Sequence, residues 1–404
     1  MLDKPKIVLF VLMLVTLFGT IGIALPYPVL APYFIDYPAN DLTRFMGIHP
    51  KTLLGISLAT YPFGMLIGSN YLGALSDFYG RKKILVITLV VAVIGYALTA
   101  LAIWQESFIT FVLARFLTGL SEGNISIARA IAADLHPQLN RTKAFSMLYS
   151  ASYVGWMIGP LLGGLLMVYG VAQVFLLAGI GLFLSLLLVI LLIQKDKKII
   201  EKHDLKYILR HQHSFSLFKH KEVIPLYLFY FIYCIGLTSF YNFFPVWYVD
   251  YFHADGTTIS MATISLNIMM ISCSIFVVTR LQQKIGHYYA MLYFGLLLSL
   301  LLFIQPFASL RQSYLVFAGI GGAIAIVNGM FPSLLSEKFG HLGQGKIMGL
   351  QVSIFCLTNV LTSIFGGQLS IFDSKYVLLF GAFMVLLAVF SLYYNRKNIE
   401  QTTS

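Results

Sequence analysis

Charge is scarce in this chain. Of its 404 residues only 11% are Asp, Glu, Lys or Arg, against roughly 25% in ordinary soluble domains. With 58% hydrophobic residues and a mean hydropathy of +0.83, no water-soluble fold of this length could hide the apolar surface. Lipid is therefore the solvent for most of the chain. Cysteine is sparse too. Cys234, Cys273 and Cys356 lie inside apolar runs without metal-like spacing and read as small core residues. The apolar runs lack period-two alternation, which excludes a membrane β-barrel. No metal-ligand cluster, paired catalytic carboxylates or nucleophile–base grouping falls at bilayer depth, so a membrane enzyme is only a remote reading. The net charge of +11 lies in short loops between apolar runs rather than on a basic domain, which excludes nucleic acid as a partner.

What is present is a series of long apolar runs. A bilayer core needs about 20 apolar residues per helix. Twelve spans are predicted, at 6–36, 51–76, 84–104, 107–133, 144–170, 172–194, 222–250, 257–280, 288–308, 311–336, 345–370 and 375–394. The first run continues through Pro26, Pro28 and Pro32 without a small-residue cleavage site and reads as a retained helix. Twelve spans put both termini on one side. Twenty-one Lys and Arg fall at the termini and even-to-odd loops, against four in the opposite loops: Arg44, Lys51, Arg311 and Lys375. That asymmetry predicts cytoplasmic termini.

The longest polar segment, 195–221, separates an N-terminal half (1–194) from a C-terminal half (222–404). It reads as a surface linker with one short amphipathic helix. His211, His213 and His220 within it are taken as solvated rather than sensory. The halves also resemble each other. A shift of 203 residues puts Gly163-Gly164 on Gly366-Gly367, Asp134 on Glu337 and Lys143 on Lys346. Three matches at one offset argue for a duplicated six-helix unit.

Charge concentrates in the predicted loop between the second and third spans, GALSDFYGRKK. Gly73 lets a helix end approach a neighbour closely, and Gly80 permits a positive φ where the chain reverses. Asp77 and Arg81 are four apart and can pair on a helical turn. With the twelve spans and two halves, Gly73, Asp77, Gly80, Arg81 and Lys82 make the chain resemble the major facilitator superfamily, whose loop motif is G-x-L-x-D-x-x-G-R-K. The resemblance implies a conformational latch that holds the halves together in the outward-open state, with Asp134 as a further partner of Arg81. At the corresponding place in the second half, TRLQQKIGHYY keeps Gly286 but has Gln283 and His287 for the acid and the arginine. The latch is therefore expected to be one-sided.

Residues 155–164, GWMIGPLLGG, fit the superfamily's antiporter pattern and resemble its twelve-helix drug/proton antiporters, the group that includes the tetracycline exporters. Gly155, Gly159 and Gly163 form a ridge for tight packing. Pro160 removes a backbone hydrogen bond and kinks the helix, and Gly164 completes the pattern. The fourth span carries Arg115, Glu122 and Arg129 at intervals of seven, which places all three near one helix face. The resemblance implicates Arg115 in proton transfer. Glu122 is the acid placed at bilayer depth. Desolvation draws such a carboxylate toward protonation and an arginine toward ionisation, a balance that suits a proton carrier. A static Glu122–arginine pair is the alternative. The first span has no acid at bilayer depth, unlike many drug antiporters, and Asp36 lies at its outer end.

The resemblance also implies a substrate cavity between the halves, lined by the first, fourth, seventh and tenth helices. Tyr233, Tyr241, Asn242 and Trp247 on the seventh span and Asn328 on the tenth are the candidates. The expectation is an all-α integral membrane transporter of the cytoplasmic (inner) membrane. It would move a small organic, drug-like or metabolite molecule by alternating access, as a proton-coupled antiporter. A proton-coupled symporter importing a nutrient or a metal chelate is the alternative. The partners implied are a small-molecule substrate, protons and the lipid bilayer. A monomer is expected, and no cofactor or metal.

Overall fold

The computed structural model describes residues 5–26, 29–30, 33–34, 40–48, 50–194, 213–254, 256–370 and 372–396. Within them the secondary structure is helical, with no strand. The α-helices are α1 (Pro5–Ala24), α2 (Pro50–Tyr79), α3 (Arg81–Trp104), α4 (Phe108–Ser121), α5 (Asn124–Asp134), α6 (Arg141–Leu166) and α7 (Val171–Leu192). They continue with α8 (Ile224–Phe252), α9 (Gly256–Phe276), α10 (Val278–Ile304), α11 (Leu310–Phe339), α12 (Gln344–Ser370) and α13 (Ser374–Tyr394).

Among the described residues ten helices are long and apolar enough to cross a membrane: α1, α3, and α6 through α13. Two further spans were expected. α2 has 30 residues and is not among the ten. The fourth span is divided into α4 and α5. Large apolar side chains such as Phe10, Leu113, Leu161, Leu191 and Phe390 point outward and are more than half exposed, as a surface solvated by lipid requires.

Local chemistry sets the helix ends. Gly80 at φ 100° separates α2 from α3, and Gly286 at φ 75° interrupts α10. Both values lie in the left-handed region that favours glycine. Gln312 accepts a hydrogen bond from the Ser309 N–H at the start of α11, and Asp373 accepts from the Lys375 N–H at the start of α13, both recognisable N-terminal caps.

The break between α4 and α5 falls at Glu122 and Gly123. Here the backbone tightens to three-residue bonds, Glu122 N to Gly119 O and Ile125 N to Glu122 O. The run Ser121-Glu122-Gly123-Asn124 contains weak helix formers, and Ser121 and Ser126 bond back to the carbonyls of Thr118 and Gly123.

The chain forms two compact units. One comprises Met1–Leu139, Val154–Phe215 and Gly343–Ser353; the other comprises Asn140–Tyr153, Ser216–Leu342 and Ile354–Ser404. In the first, α3 packs on α4 and α7, α2 on α4, and α1 on α7. In the second, α8 packs on α13, α9 on α11, and α10 on α11 and α13.

Candidate functional site

The turn between α2 and α3 carries a dense charge network within the first unit. Asp77 and Arg81 form an ion pair, one helical turn apart across the corner that Gly80 makes. The Arg81 Nε also donates to Asp134 Oδ2 at 3.0 Å, and its Nη1 donates to Ser76 Oγ at 2.8 Å. Asp77 reaches further. Its two carboxylate oxygens accept from the backbone N–H groups of Gly345 at 3.0 Å and Lys346 at 3.1 Å. These are first-turn donors of α12, which have no partner inside their own helix. Asp77 therefore caps α12 from a segment remote in sequence, and its negative charge sits at the positive end of that helix. Gly73 makes the approach possible: a Cβ there would run into the Gly345 carbonyl, and one on Gly345 would run into the Gly73 carbonyl.

Deeper in the same unit lies a buried polar cluster. Arg115 on α4 is 4% exposed and Glu122, at the α4–α5 break, is fully buried. The Arg115 guanidinium lies 4.4 Å from the ring centre of Tyr61 on α2 and 5.5 Å from that of Phe175 on α7. Tyr61 and Tyr96 stand close enough to Glu122 and Arg115 to interact electrostatically with both. Neither Glu122 oxygen makes a hydrogen bond of regular geometry. The same holds for Arg115 Nε and Nη1, the Tyr61 and Tyr96 hydroxyls, and the Asn124 amide. Gly19 on α1 completes the wall, since a Cβ there would lie 3.5 Å from Glu122 Oε2.

Arg129 lies on α5 beyond the break and is half-buried; the groups that act on Glu122 are Tyr61 and Arg115. The spacing of seven thus brings Arg115 and Glu122 together but not Arg129. The intervening break interrupts the single helix face on which the three were expected to align.

The α6 motif faces α1. A Cβ on Gly155 would meet Thr20, and one on Gly159 would meet Ala24. Pro160 lies inside α6, Gly163 is buried, and Gly164 faces open space.

In the second unit, Asn328 on α11 links two tyrosines. Its Nδ2 donates to Tyr153 Oη at 3.1 Å, and its Oδ1 accepts from the Tyr233 hydroxyl at 3.3 Å. The other candidates are placed elsewhere. The Tyr241 hydroxyl contacts Met270 Sδ at 3.7 Å, and Asn242 Nδ2 donates to Ser363 Oγ at 3.2 Å. Trp247 is 1% exposed and packs in an aromatic core, with Tyr248 at 5.2 Å and Phe252 at 5.0 Å between ring centres.

The sequence pattern described as Major Facilitator Superfamily matches residues 7–357, and again 226–403. The chain belongs to the major facilitator superfamily. That superfamily is one of membrane transporters, not enzymes. It is similar to the tetracycline resistance protein, class H, of Pasteurella multocida, with 30% identity over 192 residues, covering 47% of this chain and 45% of that protein. It therefore spans less than half the length of that relative. A longer match joins it to multidrug resistance protein 2 of Bacillus subtilis (strain 168), with 23% identity over 389 residues, 94% of this chain and 93% of that protein. Among solved structures, that of the human organic anion transporter MFSD10 (TETRAN) superposes with a TM-score of 0.80 at 18% identity, covering 96% of this chain and 100% of the other. That likeness supports the major facilitator fold.

Within this superfamily member, sequence reasoning missed several polar partners. Tyr61 and Tyr96 stand among apolar runs where aromatics are commonplace. Tyr153 lies two residues before the glycine-rich α6 motif, where nothing in the sequence marks it. The partner of Asp77 is a pair of backbone amides, which residue identity does not mark. Asp36 and His211 lie outside the described residues.

Proposed function

We propose that this transporter exports small organic, drug-like or metabolite molecules from the cytoplasm by alternating access, in exchange for protons. In this reading twelve spans form two six-helix halves in the cytoplasmic (inner) membrane, with both termini in the cytoplasm, and the protein acts as a monomer. The Asp77–Arg81–Asp134 network, with Asp77 capping α12, is the contact that holds the cytoplasmic side closed. The Tyr153–Asn328–Tyr233 chain supplies hydrogen-bonding groups of the kind that orient an amphipathic ligand. The glycine pattern of α6 and the names of the resistance relatives favour export over import.

The observation that carries the coupled reading is Glu122. A carboxylate buried at a helix break with no regular hydrogen bond can change its charge without dismantling an established network. Arg115, Tyr61 and Tyr96 surround it with groups that can answer that change. A static ion pair would instead show Glu122 engaged by Arg115 through directed hydrogen bonds.

The test is reconstitution in vesicles under an imposed proton gradient, with tetracycline as the first probe. Glu122→Gln keeps the shape and cannot ionise. It should abolish uphill transport and substrate-linked proton movement while leaving probe affinity within about threefold, a difference below 1 kcal/mol. Proton movement that persists in a folded Glu122→Gln protein removes Glu122 from the coupling step. Proton and probe moving in the same direction would replace antiport by symport.

A further inference from the structure

The second unit contains a polar network that the sequence comparison of the two halves did not anticipate. Gly286 breaks α10 at φ 75°, as Gly80 ends α2 at φ 100°. The next residue is His287, where the first half has Arg81. The His287 ring is enclosed, with 12% of its side chain exposed. Its Nε2 stands 2.9 Å from Thr142 Oγ1 and 2.8 Å from Ser333 Oγ, and those two hydroxyls lie 2.7 Å apart. Its Nδ1 faces Glu337 Oε2 at 3.4 Å. Beside this triangle, Asn140 Nδ2 donates to Gln282 Oε1 at 3.4 Å.

The parallel with the first latch is close. Glu337 is the residue on which Asp134 falls at the offset of 203, and each is the acid facing the residue after the glycine. Lys143 and Lys346 are counterparts at the same offset, so the first turns of α6 and α12 correspond. Asp77 engages the first turn of α12; His287 engages Thr142 in the first turn of α6. Thr142 and Ser333 are both 1% exposed, so the triangle is a built contact rather than a chance meeting of surface hydroxyls.

We propose that His287, with Thr142, Ser333 and Glu337, forms a second latch whose strength depends on the protonation of the histidine. The proposal rests on the alternating-access reading and is independent of proton coupling through Glu122. The hydroxyl pair suits both ring states. A neutral ring accepts at Nε2 from one hydroxyl, while a protonated ring donates from Nε2 to a hydroxyl oxygen. Protonation adds a positive charge at Nδ1 facing Glu337, but holding that charge on an enclosed ring costs more than the half-exposed carboxylate returns. Other charged groups on the neighbouring elements are Arg141 and Lys143 on α6, Lys338 on α11, Arg280 and Lys284 on α10 itself, and Arg396 after α13. Of all these charges, that of Glu337 opposes the penalty that burial places on a charged ring, and the burial is the larger effect. Acidification therefore weakens the latch and alkalinisation strengthens it. Arg81, which keeps its charge at every working pH, gives the first latch no such sensitivity.

The test reads conformation without any substrate. Spin labels at Lys143→Cys and Lys284→Cys report the separation of α6 and α10 in the full chain in lipid nanodiscs, with Cys234, Cys273 and Cys356 replaced by alanine. Between pH 8.5 and pH 5.5 the ratio of short-distance to long-distance populations should fall about two- to fivefold, the range expected when a half-exposed partner offsets only part of the cost of a buried charge. His287→Gln, which can hydrogen-bond but not titrate, should flatten that response. His287→Arg should hold the short-distance population low throughout, which keeps the test decisive if the glutamine variant folds poorly. A flat profile in the parent protein, or an unchanged response in either His287 variant, overturns the proposal. Because no transport is measured, failure of the exchange reading would not produce either result.

Discussion

Replacing Asp77 by Asn should loosen the first turn of α12 by an amount that can be worked from its contacts. The carboxylate accepts from the N–H groups of Gly345 and Lys346 and pairs with Arg81. Asparagine keeps one carbonyl oxygen, so one backbone donor retains an acceptor. The other donor then faces an amide NH2. Losing a hydrogen bond to a charged group costs about 1.5–3 kcal/mol, and removing the negative charge from a helix N-terminus costs about 0.3–1 kcal/mol more. Arg81 keeps Asp134 and Ser76 as partners, so no guanidinium is stranded.

A net loss of about 2–3 kcal/mol corresponds to roughly a 30- to 150-fold rise in the locally open population. Hydrogen exchange of a peptide covering Gly345 and Lys346 reads this directly, with purified protein in lipid nanodiscs. Arg81→Ala should raise the same exchange less, because both acceptor bonds of Asp77 survive. Transport should fall in both variants while insertion stays normal. Exchange within about threefold of wild type in a normally inserted Asp77→Asn protein, a change below 1 kcal/mol, would refute the capping role.

Gly73→Ala drives a methyl group into the Gly345 carbonyl, and backbone cannot step aside as a flexible side chain can. Overpacking of about 1–3 kcal/mol should lower transport per inserted molecule about tenfold, and wild-type rates would show that the two backbones do not approach closely. Pro160→Ala supplies an N–H for the Trp156 carbonyl and stiffens α6. Uphill transport per folded molecule should fall while yield holds, whereas a loss explained wholly by yield would make the residue structural. At the start of α13, the Tyr251 hydroxyl, the Lys375 N–H and the Lys375 charge hold the Asp373 carboxyl below the usual carboxylate range. Its contribution is therefore present above about pH 4 and disappears as pH falls through the lower folded-state value. Asp373→Asn should lower thermal stability by about 1 kcal/mol at pH 7, and the difference should shrink on acidification; a difference that persists unchanged below pH 3 would exclude the carboxylate's charge as its source.

The parts of this molecule that were legible in the sequence share a physical origin. Apolar run length is set by bilayer thickness, and the Asp77–Arg81 pair is one helical turn long, so both can be read without knowing what lies opposite. The seven-residue spacing of Arg115, Glu122 and Arg129 was legible in the same way and misled for the same reason. It assumes one unbroken helix, while Ser121-Glu122-Gly123-Asn124 was free to tighten into a break once tertiary packing supplied the burial. That break brings Glu122 into a cluster with tyrosines from other helices, which no local pattern could announce.

His287 shows the limit most clearly. Judged against Arg81 it reads as a lost charge. Its hydroxyl partners lie 145 and 46 residues away, and a threonine and a serine carry no special signal in an apolar chain. Asp77 meets backbone amides 268 and 269 residues away, where even residue type is silent. Spacing reports which groups share a face. Whether a polar atom on that face finds a partner is decided by segments that folding brings from elsewhere. In a membrane, where an unpaired polar group is especially costly, those unmarked partners separate a structural contact from a group that is free to change its charge.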